Sequence, residues 1–130
     1  MQVTKKVVRS AQAPQPVARY SQGIRVGNTL YVQGMVALDP ATGKMVAGGV
    51  REQAQRVFAS IKAVLSAEQM DLRNVVRVAA FLADMADYPV FNEVYNSHFT
   101  DDPPPVRTTV QAGLPLGARV EVEVTAVAEM

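Results

Sequence analysis

The stretch 101–126, near the C-terminus, holds the side chains best suited to chemistry. Asp101-Asp102-Pro103-Pro104-Pro105-Val106 leads into Arg107-Thr108-Thr109-Val110-Gln111. The turn Gly113-Leu114-Pro115-Leu116-Gly117 is followed by Val120-Glu121-Val122-Glu123-Val124-Thr125-Ala126. Consecutive prolines fix the backbone as it approaches Arg107, because the ring locks φ. Arginine is a planar, permanently charged fork that grips a carboxylate through two parallel hydrogen bonds, and Thr108 and Thr109 bring hydroxyls beside it. Glu121 and Glu123 alternate with valines, which puts both on one face of a strand, roughly 7 Å apart. One guanidinium and a carboxylate at strand ends read as an anion clamp with an acid/base that handles water. The plain alternatives are a surface arginine and a solvated strand face. For Glu123 the solvated face, or a structural ion pair, is favoured; for Glu121 both readings stand.

Tyr20 sits at a strand start, where packing is the ordinary role of a tyrosine and lining a cleft is the other. Gly34 directly follows a strand, the position of a bulge or a close backbone approach, which is compatible with a substrate contact. Asn92 reads as an exposed polar residue on a helix. His98 reads as a surface residue near that helix's C-terminus, where the dipole favours a charged ring. Ser21 has no histidine near it in the sequence, which argues against a serine–histidine unit. Gly43, Gly48 and Gly49 match no phosphate-loop spacing, and turn chemistry explains them.

The elements that must position these residues follow from periodicity. A short first strand is expected over Val3 to Val8, then an irregular segment broken by Pro14 and Pro16. Gln22 to Val26 and Thr29 to Gln33 form a hairpin through Gly27-Asn28, a pair tolerant of positive φ. Val50, Ala54, Val57, Phe58, Ile61, Val64 and Leu65 recur at three-to-four spacing, predicting an amphipathic helix from about Val50 to Ala67. Asn74 to Leu82 is evenly apolar and reads as a central strand covered on both faces. Asp87-Tyr88-Pro89 starts a second helix, with proline in the first turn. The order β-β-β-α-β-α-β-β gives an α+β fold, helices on one face of a mixed sheet. The other face mixes Thr, Val, Gln and Glu, which suits packing against another copy of the chain and a site between subunits.

At 130 residues the chain is one domain, 1–130. A formal net charge of +1 without a basic cluster gives little footprint for nucleic acid. The absence of cysteine excludes disulfides, thiolate metal sites and a cysteine nucleophile. One histidine, His98, builds no histidine-rich metal site. Nothing reads as a signal peptide or a membrane span, so a cytoplasmic location is expected.

Six segments together resemble the RidA (YjgF) family of enamine/imine deaminases. They are Tyr20-Ser21-Gln22-Gly23, Leu30-Tyr31-Val32-Gln33-Gly34, Asp39-Pro40-Ala41-Thr42-Gly43, Asn92-Glu93-Val94-Tyr95, Pro105-Val106-Arg107-Thr108-Thr109-Val110 and Val120-Glu121-Val122-Glu123. The resemblance implies a chorismate-mutase-like fold with a six-stranded sheet, and a homotrimer with clefts between neighbouring subunits. It implies cofactor-free hydrolysis of 2-enamine/2-imine acids, such as 2-aminoacrylate, to 2-keto acids and ammonia. By position, Arg107 takes the carboxylate-binding role, Glu121 holds the attacking water, Tyr20 lines the cleft and Gly34 forms its floor. Thr109 stands where the family often has cysteine, with backbone N–H groups near it as further donors. Arg19 beside Tyr20 departs from the family pattern and adds charge near the cleft.

Overall fold

The computed structural model describes residues 2–129, so the first and last residues of the expected domain lie outside the described residues. Six strands form one sheet in the order β1-β2-β3-β6-β4-β5. They are β1 (Lys6–Val8), β2 (Gly23–Val26), β3 (Thr29–Met35), β4 (Val75–Leu82), β5 (Val106–Gln111) and β6 (Val120–Val127). Two helices, α1 (Val50–Ser66) and α2 (Tyr88–His98), cover one face. β4 and β5 pair in parallel, and all other neighbours are antiparallel, so the sheet is mixed as expected.

The alternation of β6 decides which side is core. Val120, Val122, Val124 and Ala126 are buried, while Glu121, Glu123 and Thr125 point to the other face. On the helix side Phe58 of α1 meets Phe91 and Tyr95 of α2 at ring separations of 6.2 and 6.1 Å. α1 begins where the Glu52 carboxylate accepts a hydrogen bond from Gly49 N–H at 2.8 Å, satisfying one of the orphan donors of the helix start. The β2–β3 hairpin turns at Gly27, whose φ of +58° favours glycine.

Two expectations need correction. The first strand is Lys6–Val8 rather than Val3 to Val8, because only these residues pair with β2. β4 is an interior strand, flanked by β6 and the edge strand β5, but the helices cover only one of its faces, and Arg77 on the other face is exposed. No helix among the described residues is long and apolar enough to cross a membrane.

Candidate functional site

Arg107 is the second residue of the edge strand β5, in register with Val78, which is fully buried on the helix side. Its side chain therefore runs under α2. Tyr88, Asn92 and Tyr95 follow one another at i, i+4 and i+7 along that helix and share one stripe. Arg107 Nη1 donates to Asn92 Oδ1 at 2.8 Å, and Nη2 donates to the Tyr88 hydroxyl at 2.7 Å. The Tyr95 ring lies 4.5 Å from the guanidinium carbon, a cation–π contact. These two bonds engage two of the five N–H donors of a guanidinium and leave three. All the partners are neutral, and Arg107 makes no salt bridge among the described residues. A fixed, half-buried cation without a counter-charge has the chemistry to take an anion.

Thr109, two residues along the same side of β5, is half-buried, and its hydroxyl has no hydrogen-bond partner among the described residues. An orphaned hydroxyl next to an uncompensated guanidinium fits a ligand contact.

Glu121 occupies the opposite face. The β3–β6 register shifts between Val32 and Met35, so Gln33 and Gly34 form a bulge across from it. A Cβ built on Gly34 would come within 3.0 Å of Glu121 Cδ, so the glycine exists to let this carboxylate lie against β3. Burial pushes the Glu121 carboxyl above its ordinary range, and the negative charge of Glu123 adds to the rise. Glu121 makes no salt bridge among the described residues.

Tyr20 is exposed and accepts a hydrogen bond from Val17 N–H at 3.3 Å. Its loop is pinned two residues on by the buried side chain of Gln22, which bonds Ser10, Ala13 and Pro14. Gln33 N–H donates to the Gln22 carbonyl at 2.9 Å, so Tyr20 lies just beyond this pair, at the Gly34 end of β3.

The expected residues thus fall into two groups. Arg107 and Thr109 sit on the helix side of β5; Glu121 and Gly34 sit on the bare face, with Tyr20 at their end of β3. Arg107 pairs across from Val78 and Glu121 across from Phe81, three positions further along β4 and on the other face. Within one chain the fork and the carboxylate do not meet.

Tyr88, Asn92 and Tyr95 were missed by sequence reasoning as a unit. Asn92, expected to be exposed, is half-buried and bonded to Arg107. The available signal was the stripe itself: polar-tipped side chains at i, i+4 and i+7 on a helix face otherwise turned to the core. His98 is also corrected. Its ring packs 5.1 Å from Phe58 and bonds Gln55, and burial, with Lys62 nearby, holds its pKa below the usual histidine range. A cavity of about 810 Å³ under the segment 98–106 contains none of the expected site residues. Arg73 on its wall is already spent on Asp71 and Asp101, so it offers no comparable free cation.

A mixed six-stranded sheet with two helices on one face, a caged arginine at its edge and a carboxylate seated on a glycine bulge define an α+β class. Known proteins share it. The family model described as Endoribonuclease L-PSP matches residues 10–128. "Protein DfrA" of Myxococcus xanthus is 44% identical over 128 residues, covering 96% of this chain and 97% of that protein. A 2-iminobutanoate/2-iminopropanoate deaminase of Mus musculus is 38% identical over 125 residues, covering 96% and 93%. The solved structure of RidA from the Antarctic bacterium Psychrobacter sp. PAMC 21119 matches with a TM-score of 0.90 at 36% identity, over 95% of this chain and 99% of its own. The chain belongs to this family, the RidA (YjgF) family.

Proposed function

We propose that this protein hydrolyses reactive 2-enamine/2-imine acids to 2-keto acids and ammonia, as a homotrimer whose sites lie between copies. The observation that carries the reading is the charge of Arg107, fixed by neutral groups only and left with three unused N–H donors. A small carboxylate completes that arrangement with a bidentate, charge-assisted grip. The deaminase name carried by relatives of this chain supports the same ligand class.

The separation of Arg107 from Glu121 supports a shared site. The bare face carries Val7, Tyr31 and Val110 exposed on the same side of the sheet as Glu121, an apolar surface suited to a second copy. Glu121 of one copy then faces Arg107 of another. With the substrate carboxylate on Arg107, a water hydrogen-bonded to Glu121 attacks the C=N carbon. The carbinolamine that forms loses ammonia once its nitrogen takes up a proton, and Glu121 carries that proton from the attacking water. A raised carboxyl pKa makes Glu121 a better base near neutrality than an ordinary glutamate. An imine carbon is already electrophilic, so a positioned base worth about 10²–10⁴-fold suffices.

The test couples a 2-aminoacrylate-generating enzyme to the purified protein and follows imine decay. Wild type accelerates the decay, and Arg107→Ala returns it to the spontaneous rate with circular dichroism unchanged. An Arg107→Ala protein as active as wild type overturns the site. Binding of a 2-keto acid without any acceleration would leave a non-catalytic binding protein instead. RNA cleavage, suggested by the family's description, is checked with the same preparation across a salt series.

A further inference from the structure

Arg107 is only as well aimed as the groups that hold it, and the phenol of Tyr88 is the best fixed of these. Tyr88 is the first residue of α2, and its position is secured from both sides. Before it, the Asp87 carboxylate receives three hydrogen bonds from Arg119, at 2.7, 2.9 and 3.1 Å. After it, Pro89 fixes the backbone of the first turn. The ring, half-buried, lies 5.6 Å from the guanidinium carbon while its oxygen takes the Nη2 hydrogen at 2.7 Å. Asn92 on Nη1 and the Tyr95 ring beneath the guanidinium add two further restraints on the fork.

The chemistry of this cage is as telling as its geometry. A carboxylate in place of the phenol or the amide would hold the fork as firmly, but would spend its charge inside the protein. A phenol and an amide hold it without neutralising it. Resting on the proposed carboxylate-binding role of Arg107, we propose that Tyr88 is a positioning residue that aims the fork at the ligand carboxylate and reserves its charge for that ligand. The contact is made equally before and during reaction, so its loss weakens binding rather than the chemical step.

The experiment compares wild type, Tyr88→Phe and Asn92→Asp in two measurements: imine-decay kinetics and calorimetric binding of 2-ketobutyrate. Tyr88→Phe keeps the ring and removes the hydroxyl; KM and the keto-acid Kd rise about three- to tenfold while kcat stays within about twofold. A purely structural tyrosine would lower Tm and leave KM and Kd alone. Asn92→Asp puts an internal anion on the fork, so keto-acid binding falls by about 100-fold or more while Tm is unchanged or higher. Unchanged Kd in Tyr88→Phe, or wild-type binding by Asn92→Asp, overturns the inference. The two readings fail separately. No acceleration by wild type, with binding still weakened in both variants, removes the deaminase and keeps Tyr88. Acceleration by wild type, with Tyr88→Phe indistinguishable from it, removes Tyr88 alone.

Discussion

Two arginines meet the start of α2 one residue apart, and their partners differ in charge. Arg119 is clamped to the Asp87 carboxylate, and its positive charge is cancelled on the spot. Arg107 is held next door by Tyr88 and Asn92, which are neutral, with Tyr95 against its plane. Both side chains are equally well placed; only one has charge to spare. An arginine paired with a carboxylate fastens the fold, whereas one caged by uncharged acceptors and rings keeps its charge available to a ligand. The same division separates two glutamates. Glu68 receives Lys6 and Arg25, which hold its carboxyl below the ordinary range, led by the Lys6 hydrogen bond. Among the described residues Glu121 pairs with no cation, and its carboxyl is raised by burial.

Substitutions can break this division, beginning with the largest effect. Arg107→Ala abolishes acceleration of imine decay at little cost in Tm, while Arg119→Ala, which loosens only the helix start before Tyr88, retains most of it. If Arg119→Ala proves the inactive one, the assignment of the two arginines is reversed. Glu121→Gln comes next, with a loss of about 10²–10⁴-fold in catalysed rate. In wild type the acid limb of the rate profile lies above the ordinary glutamate pKa, since the base works only when ionised and its pKa is raised. Glu123→Gln moves that limb down by removing the second cause of the rise. A limb that stays put would show that burial alone sets it.

Gly34→Ala forces the Glu121 carboxylate to shift, so activity falls severalfold while stability, read by urea unfolding, changes by about 1 kcal/mol or less. Arg119→Ala costs about 1 kcal/mol in the same assay, because its ion pair is half exposed. Glu68→Gln is the mildest, about 0.5 kcal/mol. Its size depends on pH: a folded-state pKa held below the unfolded value gives stability above the unfolded pKa. That stability is lost as pH falls through the folded pKa, so variant and wild type converge in acid.

Periodicity made most of the architecture legible. The three-to-four spacing from Val50 to Leu65 and the strict alternation of β6 survive in the structure as a covered helix face and a two-sided strand. β4 misled because its second side is apolar although one chain does not cover it; Ala79 and Phe81 carry a composition suited to a neighbour. Arg107 was legible from its residue type after a proline run, and Gly34 from its place at the end of a strand. The cage was not, because Tyr88 reads as a helix start, Tyr95 as core and Asn92 as surface until α2 is laid over β5. Sequence spacing shows which residues share a helix face, not which strand that face will meet.

The bulge of β3 has a consequence for how this protein can vary. The volume that a side chain at 34 would need is already taken by the carboxylate at 121. The two positions are therefore tenants of one space and cannot drift independently. A shorter acid at 121 would release room for alanine at 34, so Gly34→Ala joined to Glu121→Asp should be tolerated better than Gly34→Ala alone.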